Sequence, residues 1–115
     1  MNKIRLVVNS ESKRNEKEKF FIKKELQSIL NLYAKMVSNG SWKDYSVTSS
    51  IKEVSFDVYQ RTSEKPVLRI LKNLKPKYFN ERYLIKDKNG AILKKSENLN
   101  QLISKTSWNK LKLVK

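Results

Sequence analysis

A chain of 115 residues, 38% of them hydrophobic, suffices for one domain with a slender core. With no cysteine and no histidine, it excludes a disulfide framework, thiolate metal sites, the usual catalytic triads and most transition-metal ligand sets. The formal net charge of +15 predicts weak affinity for polyanions in general. Lysine outnumbers arginine by 21 to 5, and arginine is the better fork for phosphate, so charge alone does not predict specific recognition.

In chain order, residues 1–19 are expected to form a flexible or partly extended basic and polar arm. "MNKIRLVV" suits a short strand or mobile segment, and "NSESKRNEKEK" has no face to bury. Residues 20–115 are expected to form a single α+β domain. From Phe20, the residues Ile22, Leu26, Ile29, Leu30, Tyr33 and Val37 recur with the helical period, which predicts an amphipathic helix over about 21–38. Asn39-Gly40 ends it, because glycine accepts a left-handed turn.

The period then drops to two. Tyr45, Val47, Ser49 and Ile51 make one alternating row and Val54, Phe56 and Val58 another, as antiparallel strands with one buried face do. "TSEKP" reads as a turn, Val67–Lys72 as a third strand and "NLKPKYFNE" as a loop. "RYLIKD" gives a fourth strand, and "DKNG" a tight hairpin into "AILKK". Ser96 is the expected N-cap of a short second helix carrying Leu99, Leu102 and Ile103. Trp108, Leu111 and Leu113 are candidates to pack back on the domain. The whole reads as an N-terminal amphipathic helix packed on a four- to five-stranded antiparallel sheet, with a short C-terminal helix. The short connections favour a meander, with one face under the helix and the other partly open to solvent or a partner. No apolar run approaches a membrane span and the start lacks a signal peptide's apolar region, so a soluble cytoplasmic protein is expected.

Little chemistry is available for catalysis. Two glycines, Gly40 and Gly90, cannot build a glycine-rich phosphate loop. The 11 carboxylates show no D-x-D or E-x-x-E pairing on an apolar element, so no catalytic residue, metal ligand or cofactor site is expected. Cations interleave with aromatics over 69–83: Arg69, Lys72, Lys75, Lys77 and Arg82 alternate with Tyr78, Phe79 and Tyr83, as a nucleic-acid surface requires. Against that, Phe79 and Tyr83 also suit the core, with the lysines a solvated rim. Tyr59 and Arg61 share a face of the second strand. Arg61 and Arg69 flank the turn holding Ser63, Glu64 and Pro66, where they either grip an anion or simply frame a turn. In "GSWKDYSV", Trp42 and Asp44 are expected to be buried. Asp44 is placed to accept backbone N–H groups at the strand entry or to pair with Arg69. If instead exposed, Trp42 and Tyr45 would anchor a protein partner. No RRM, KH or dsRBD signature is present.

"KKELQSILNLYAKMVSNGSWKDYSV", "VSFDVYQRTSEKPVLRI" and "GAILKKSENLNQLI" together resemble a family of small alphaproteobacterial proteins with a domain of unknown function (domain of unknown function 2794). The matching positions include Glu25, Leu26, Leu32, Tyr33, Met36, Gly40, Trp42, Asp44, Tyr45, Arg61, Glu64, Pro66, Arg69, Gly90 and Leu93. Ala34 departs from the family's glycine. The resemblance spans about residues 21–104 and implies a family identity, without an activity, cofactor or partner. The expectation is therefore a non-enzymatic basic domain associated with RNA or DNA backbone, in the manner of a ribosome-linked protein. Its binding residues would be Arg61, Arg69, Lys72, Lys75, Lys77 and Arg82. The alternative is a protein-interaction or structural adaptor presenting Trp42, Tyr45 and Tyr59.

Overall fold

The apolar period that begins at Phe20 closes into one helix, α1 (Lys23–Ser38), in the computed structural model, which describes residues 19–61 and 65–108. The expected arm up to residue 18, the turn residues Ser63 and Glu64, and Leu111 and Leu113 lie outside the described residues. The buried line of α1 is Glu25, Ile29, Leu32 and Met36, at i, i+4, i+7 and i+11. That line is rotated from the expected stripe: Ile22, Leu30 and Val37 are exposed, and Leu26 and Tyr33 are half-buried. An acid can occupy the buried line because the sheet meets it with a cation and a hydroxyl, described below. Gly40 ends the helix at φ 84°. The N–H groups of Ser41 and Trp42 then both return to the Met36 carbonyl, at 2.9 and 3.2 Å.

Five strands follow, β1 (Asp44–Ser49), β2 (Glu53–Tyr59), β3 (Leu68–Asn73), β4 (Tyr83–Asp87) and β5 (Ile92–Ser96). They form one antiparallel sheet in the order β1-β2-β3-β4-β5. β1 stops at Ser49, short of Ile51. The Ser50 hydroxyl oxygen accepts the N–H groups of Lys52 and Glu53, both at 3.2 Å, and this turn leaves Ile51 exposed at its tip. The β4–β5 hairpin turns through Lys88, Asn89 and Gly90. Only Gly90 takes a positive φ, so a three-residue loop ending in a left-handed glycine replaces the two-residue turn that Asn-Gly often makes. The Asp87 carboxylate accepts the N–H groups of Asn89 and Ala91, each at 2.9 Å.

Register sorts the strand residues into two faces. Val47, Phe56, Ile70 and Ile85 share one row, and Val54, Lys72 and Tyr83 the next. Both rows belong to the face under α1. Ile29, Met36, Val54, Phe56, Val58, Ile70 and Ile85 are almost wholly buried, and each contributes about 1.5–3 kcal/mol by leaving water. The second helix, α2 (Leu99–Lys105), adds Leu99 and Leu102 to this core. Its N-cap is Asn98 rather than Ser96: the Asn98 side chain accepts the Gln101 N–H at 2.9 Å. Trp108 packs edge-on against Trp42 with ring centroids 5.8 Å apart.

The opposite face is not simply open, as alternation alone predicts. At its centre Ser55, Asp57, Leu71 and Leu84 are buried, while Arg69 and Lys95 stand exposed around them. No helix among the described residues is long and apolar enough to cross a membrane.

Candidate nucleic-acid interface

Between β3 and β4 the chain leaves the sheet for nine residues, 74–82, and returns. The excursion is closed at its base, where the Asn73 N–H meets the Arg82 carbonyl at 2.7 Å. Leu74 is buried, and its N–H reaches the Lys52 carbonyl at 2.8 Å. Pro76 follows. The chain then makes one 3₁₀ turn, Phe79–Glu81, with the Glu81 N–H on the Tyr78 carbonyl at 2.9 Å. Glu81 also pairs with Lys95 of β5 at 3.7 Å.

This frame holds two aromatic rings out in solvent. Phe79 is 80% exposed and Tyr78 58% exposed. Lys77 lies over the Tyr78 ring, its Nζ 5.8 Å from the centroid. Lys75 and Lys77 are exposed and have no acidic partner among the described residues. Beside the loop lies an open cleft of about 570 Å³, lined by Ile22, Glu25, Phe79, Arg82, Tyr83, Glu97, Asn98 and Gln101.

Under the cleft runs a buried polar chain. Lys72 is 0% exposed, and its ammonium donates to Glu25 Oε1 at 2.8 Å and to the Phe20 carbonyl at 3.0 Å. The Ile22 N–H also donates to Glu25 Oε1, at 2.8 Å. The Tyr83 hydroxyl donates to Glu25 Oε2. Burial, and then the hydrogen bond to the Glu25 carboxylate, push the Tyr83 hydroxyl pKa well up, with Arg82 acting in the opposite direction. Tyr83 therefore stays neutral as a donor. With both of its oxygens engaged, Glu25 acts as a tie between α1, β3 and β4 rather than as a free acid.

The sequence-predicted residues thus separate. Lys75 and Lys77 stay with the exposed aromatics, and Arg82 lines the neighbouring cleft. Lys72 is corrected: as a wholly buried ion pair it cannot meet a strand in solution. Parity explains why, since Leu68, Ile70 and Lys72 are alternate residues of β3 and all point inward. Arg69 points to the other face, where its Nε lies 3.5 Å from the buried carboxylate of Asp57. Arg61 is exposed at the end of β2, away from the loop in sequence. The two faces of β3 therefore keep Arg69 and Lys72 from acting together.

Trp42 is also corrected as a partner anchor. At 4% exposure it belongs to the core, against Tyr33 and Trp108. Asp44, expected to be buried, is exposed and accepts the Tyr45 N–H at 2.8 Å. Tyr45 is part-exposed but already stacked on Phe56, with centroids 4.7 Å apart. The Tyr59 hydroxyl is hydrogen-bonded with that of Ser46 at 3.1 Å. Phe79 and Tyr83, both candidates for the core, divide: Tyr83 is buried and Phe79 is not. Sequence reasoning did not find the role of Glu25, for which the signal was its i, i+4, i+7 spacing with Ile29 and Leu32.

The architecture is that of an α+β protein, a helix laid on a five-stranded antiparallel meander and closed by a short second helix. The chain belongs to the family described as "Protein of unknown function (DUF2794)", whose match covers residues 19–103. Neither the curated proteins nor the solved structures yield a match.

Proposed function

We propose that the protein is a non-enzymatic binder of single-stranded nucleic acid, RNA in the first instance, acting through the loop 74–82. The observation that carries this reading is the exposure of Tyr78 and Phe79 beside Lys75 and Lys77. Aromatic faces stack on unpaired bases whatever their sequence, and neighbouring cations hold the phosphates. A solvated lysine rim accounts for the cations but not for two rings held out in water. Stacking needs unpaired bases, so a duplex should bind less well than a single strand. The adaptor reading loses Trp42 as its anchor.

The test is a fluorescence-anisotropy titration of a uridine strand of about eight nucleotides and of a duplex of equal length, at several salt concentrations. The expected result is tighter binding of the single strand, weakening as salt rises. Affinity at ~0.15 M salt no better than the ~10⁻⁴–10⁻⁶ M of non-specific binding would overturn the proposal.

A further inference from the structure

From the cleft beside the loop we infer a base-reading subsite that takes one guanine of a bound single strand, with Glu97 as the residue that selects it. The inference rests on the nucleic-acid reading above and adds a sequence preference to it. The cleft adjoins the exposed ring of Phe79, so a strand stacked on Tyr78 and Phe79 passes its mouth. Its apolar lining, Ile22 and Phe79, suits the faces of a flat heterocycle, and its polar lining suits an edge. Among the carboxylates of the cleft, Glu25 is taken up by Lys72, Ile22 and Tyr83. The Asn98 oxygen is likewise committed to the Gln101 N–H. Glu97 is exposed and has no partner among the described residues. It is the one unengaged carboxylate in the lining.

A carboxylate accepts hydrogen bonds and cannot donate them when ionised. Guanine is the standard base with two adjacent ring-edge donors, the N1–H and the N2 amine, and both can meet one carboxylate side by side. Adenine and cytosine place a ring acceptor next to their amine, and uracil flanks its single N–H with two carbonyls. Each of those would set a lone pair against the Glu97 oxygens, so the same group that attracts guanine rejects the others. The loop lysines, Lys75 and Lys77, hold the backbone without regard to sequence.

The experiment compares a uridine strand of about eight nucleotides with strands carrying one central guanine or one central inosine, which lacks the N2 amine. The guanine strand should bind at least about fivefold more tightly than either of the other two. Glu97→Gln should abolish that difference by weakening the guanine strand, without weakening the plain uridine strand, which loses only a repulsion. Equal binding of the guanine and inosine strands, by a protein that still binds uridine and weakens with Phe79→Ala, would overturn the subsite alone. A guanine preference that survives Glu97→Gln would overturn the assignment to Glu97. Failure of every strand to bind would remove the nucleic-acid reading itself and the subsite with it.

Discussion

Lys72 shares the inward row of β3 with Leu68 and Ile70, and its ammonium is wholly withdrawn from water. A charge in that position is tolerated because Glu25 faces it at 2.8 Å and the Phe20 carbonyl accepts a second hydrogen bond. Removing one partner leaves the other charge stranded, so Lys72→Met should lower stability by about 3–5 kcal/mol in urea unfolding. The double variant Lys72→Met with Glu25→Gln, which keeps an acceptor for the Tyr83 hydroxyl, should recover much of that loss. If the single and double variants prove equally unstable, the pair is not what holds this corner. Tyr83 and Tyr33 carry a second expectation at this scale. The hydroxyl pKa of each is raised, chiefly by burial, and then by Glu25 for Tyr83 and by Asp44 for Tyr33. A raised folded-state pKa favours the neutral form, so the associated stability is fully present below the unfolded value of ~10. It is lost as pH climbs through the folded values. Tyr83→Phe should therefore flatten the fall in stability above pH ~10, and an unchanged alkaline slope would contradict this assignment.

At the scale of elements, the helix end and the β4–β5 hairpin each depend on one glycine. Gly40 sits at φ 84° with nothing within 4 Å of where a Cβ would stand. Gly40→Ala should thus cost only the backbone penalty, about 1–2 kcal/mol, measured by thermal or urea unfolding. The elements themselves were legible in the sequence because the period changes from 3.6 to two just beyond Gly40. Their ends and faces were less so. Tyr45, Val47, Ser49 and Ile51 alternate without a break, but the Ser50 side chain captures two backbone N–H groups and turns the chain before Ile51. The helix stripe was drawn through hydrophobic residues alone, whereas the buried line includes Glu25, whose partners lie 47 and 58 positions away. No local pattern carries a long-range pair of that kind. The loop 74–82 shows the converse. Phe79 suits the core by type, yet in a loop closed by Asn73 on Arg82 it stands 80% exposed.

At the scale of the whole molecule, the described cations behind the net charge of +15 are not equivalent. Lys72 is consumed in the core, Arg69 is opposed by Asp57 and Lys95 by Glu81. Lys75 and Lys77 stand exposed beside the two rings, and Arg82, itself engaged with Tyr83, lines the cleft. Under the proposed function, phosphate contacts from Lys75 and Lys77 would set a slope of log affinity against log salt of about −1.4 for a single strand. Replacing both by alanine should bring that slope close to zero without altering stability, since both are exposed. A slope far steeper than about −1.4 would place binding on some other part of the charged surface. The most direct test of the central claim is the affinity of the Tyr78→Ala/Phe79→Ala variant for a uridine strand at ~0.15 M salt, with its fold checked by circular dichroism. Stacking of about 1–3 kcal/mol per base makes the expected loss at least about tenfold. A folded variant that binds the strand as tightly as the natural chain would contradict the account.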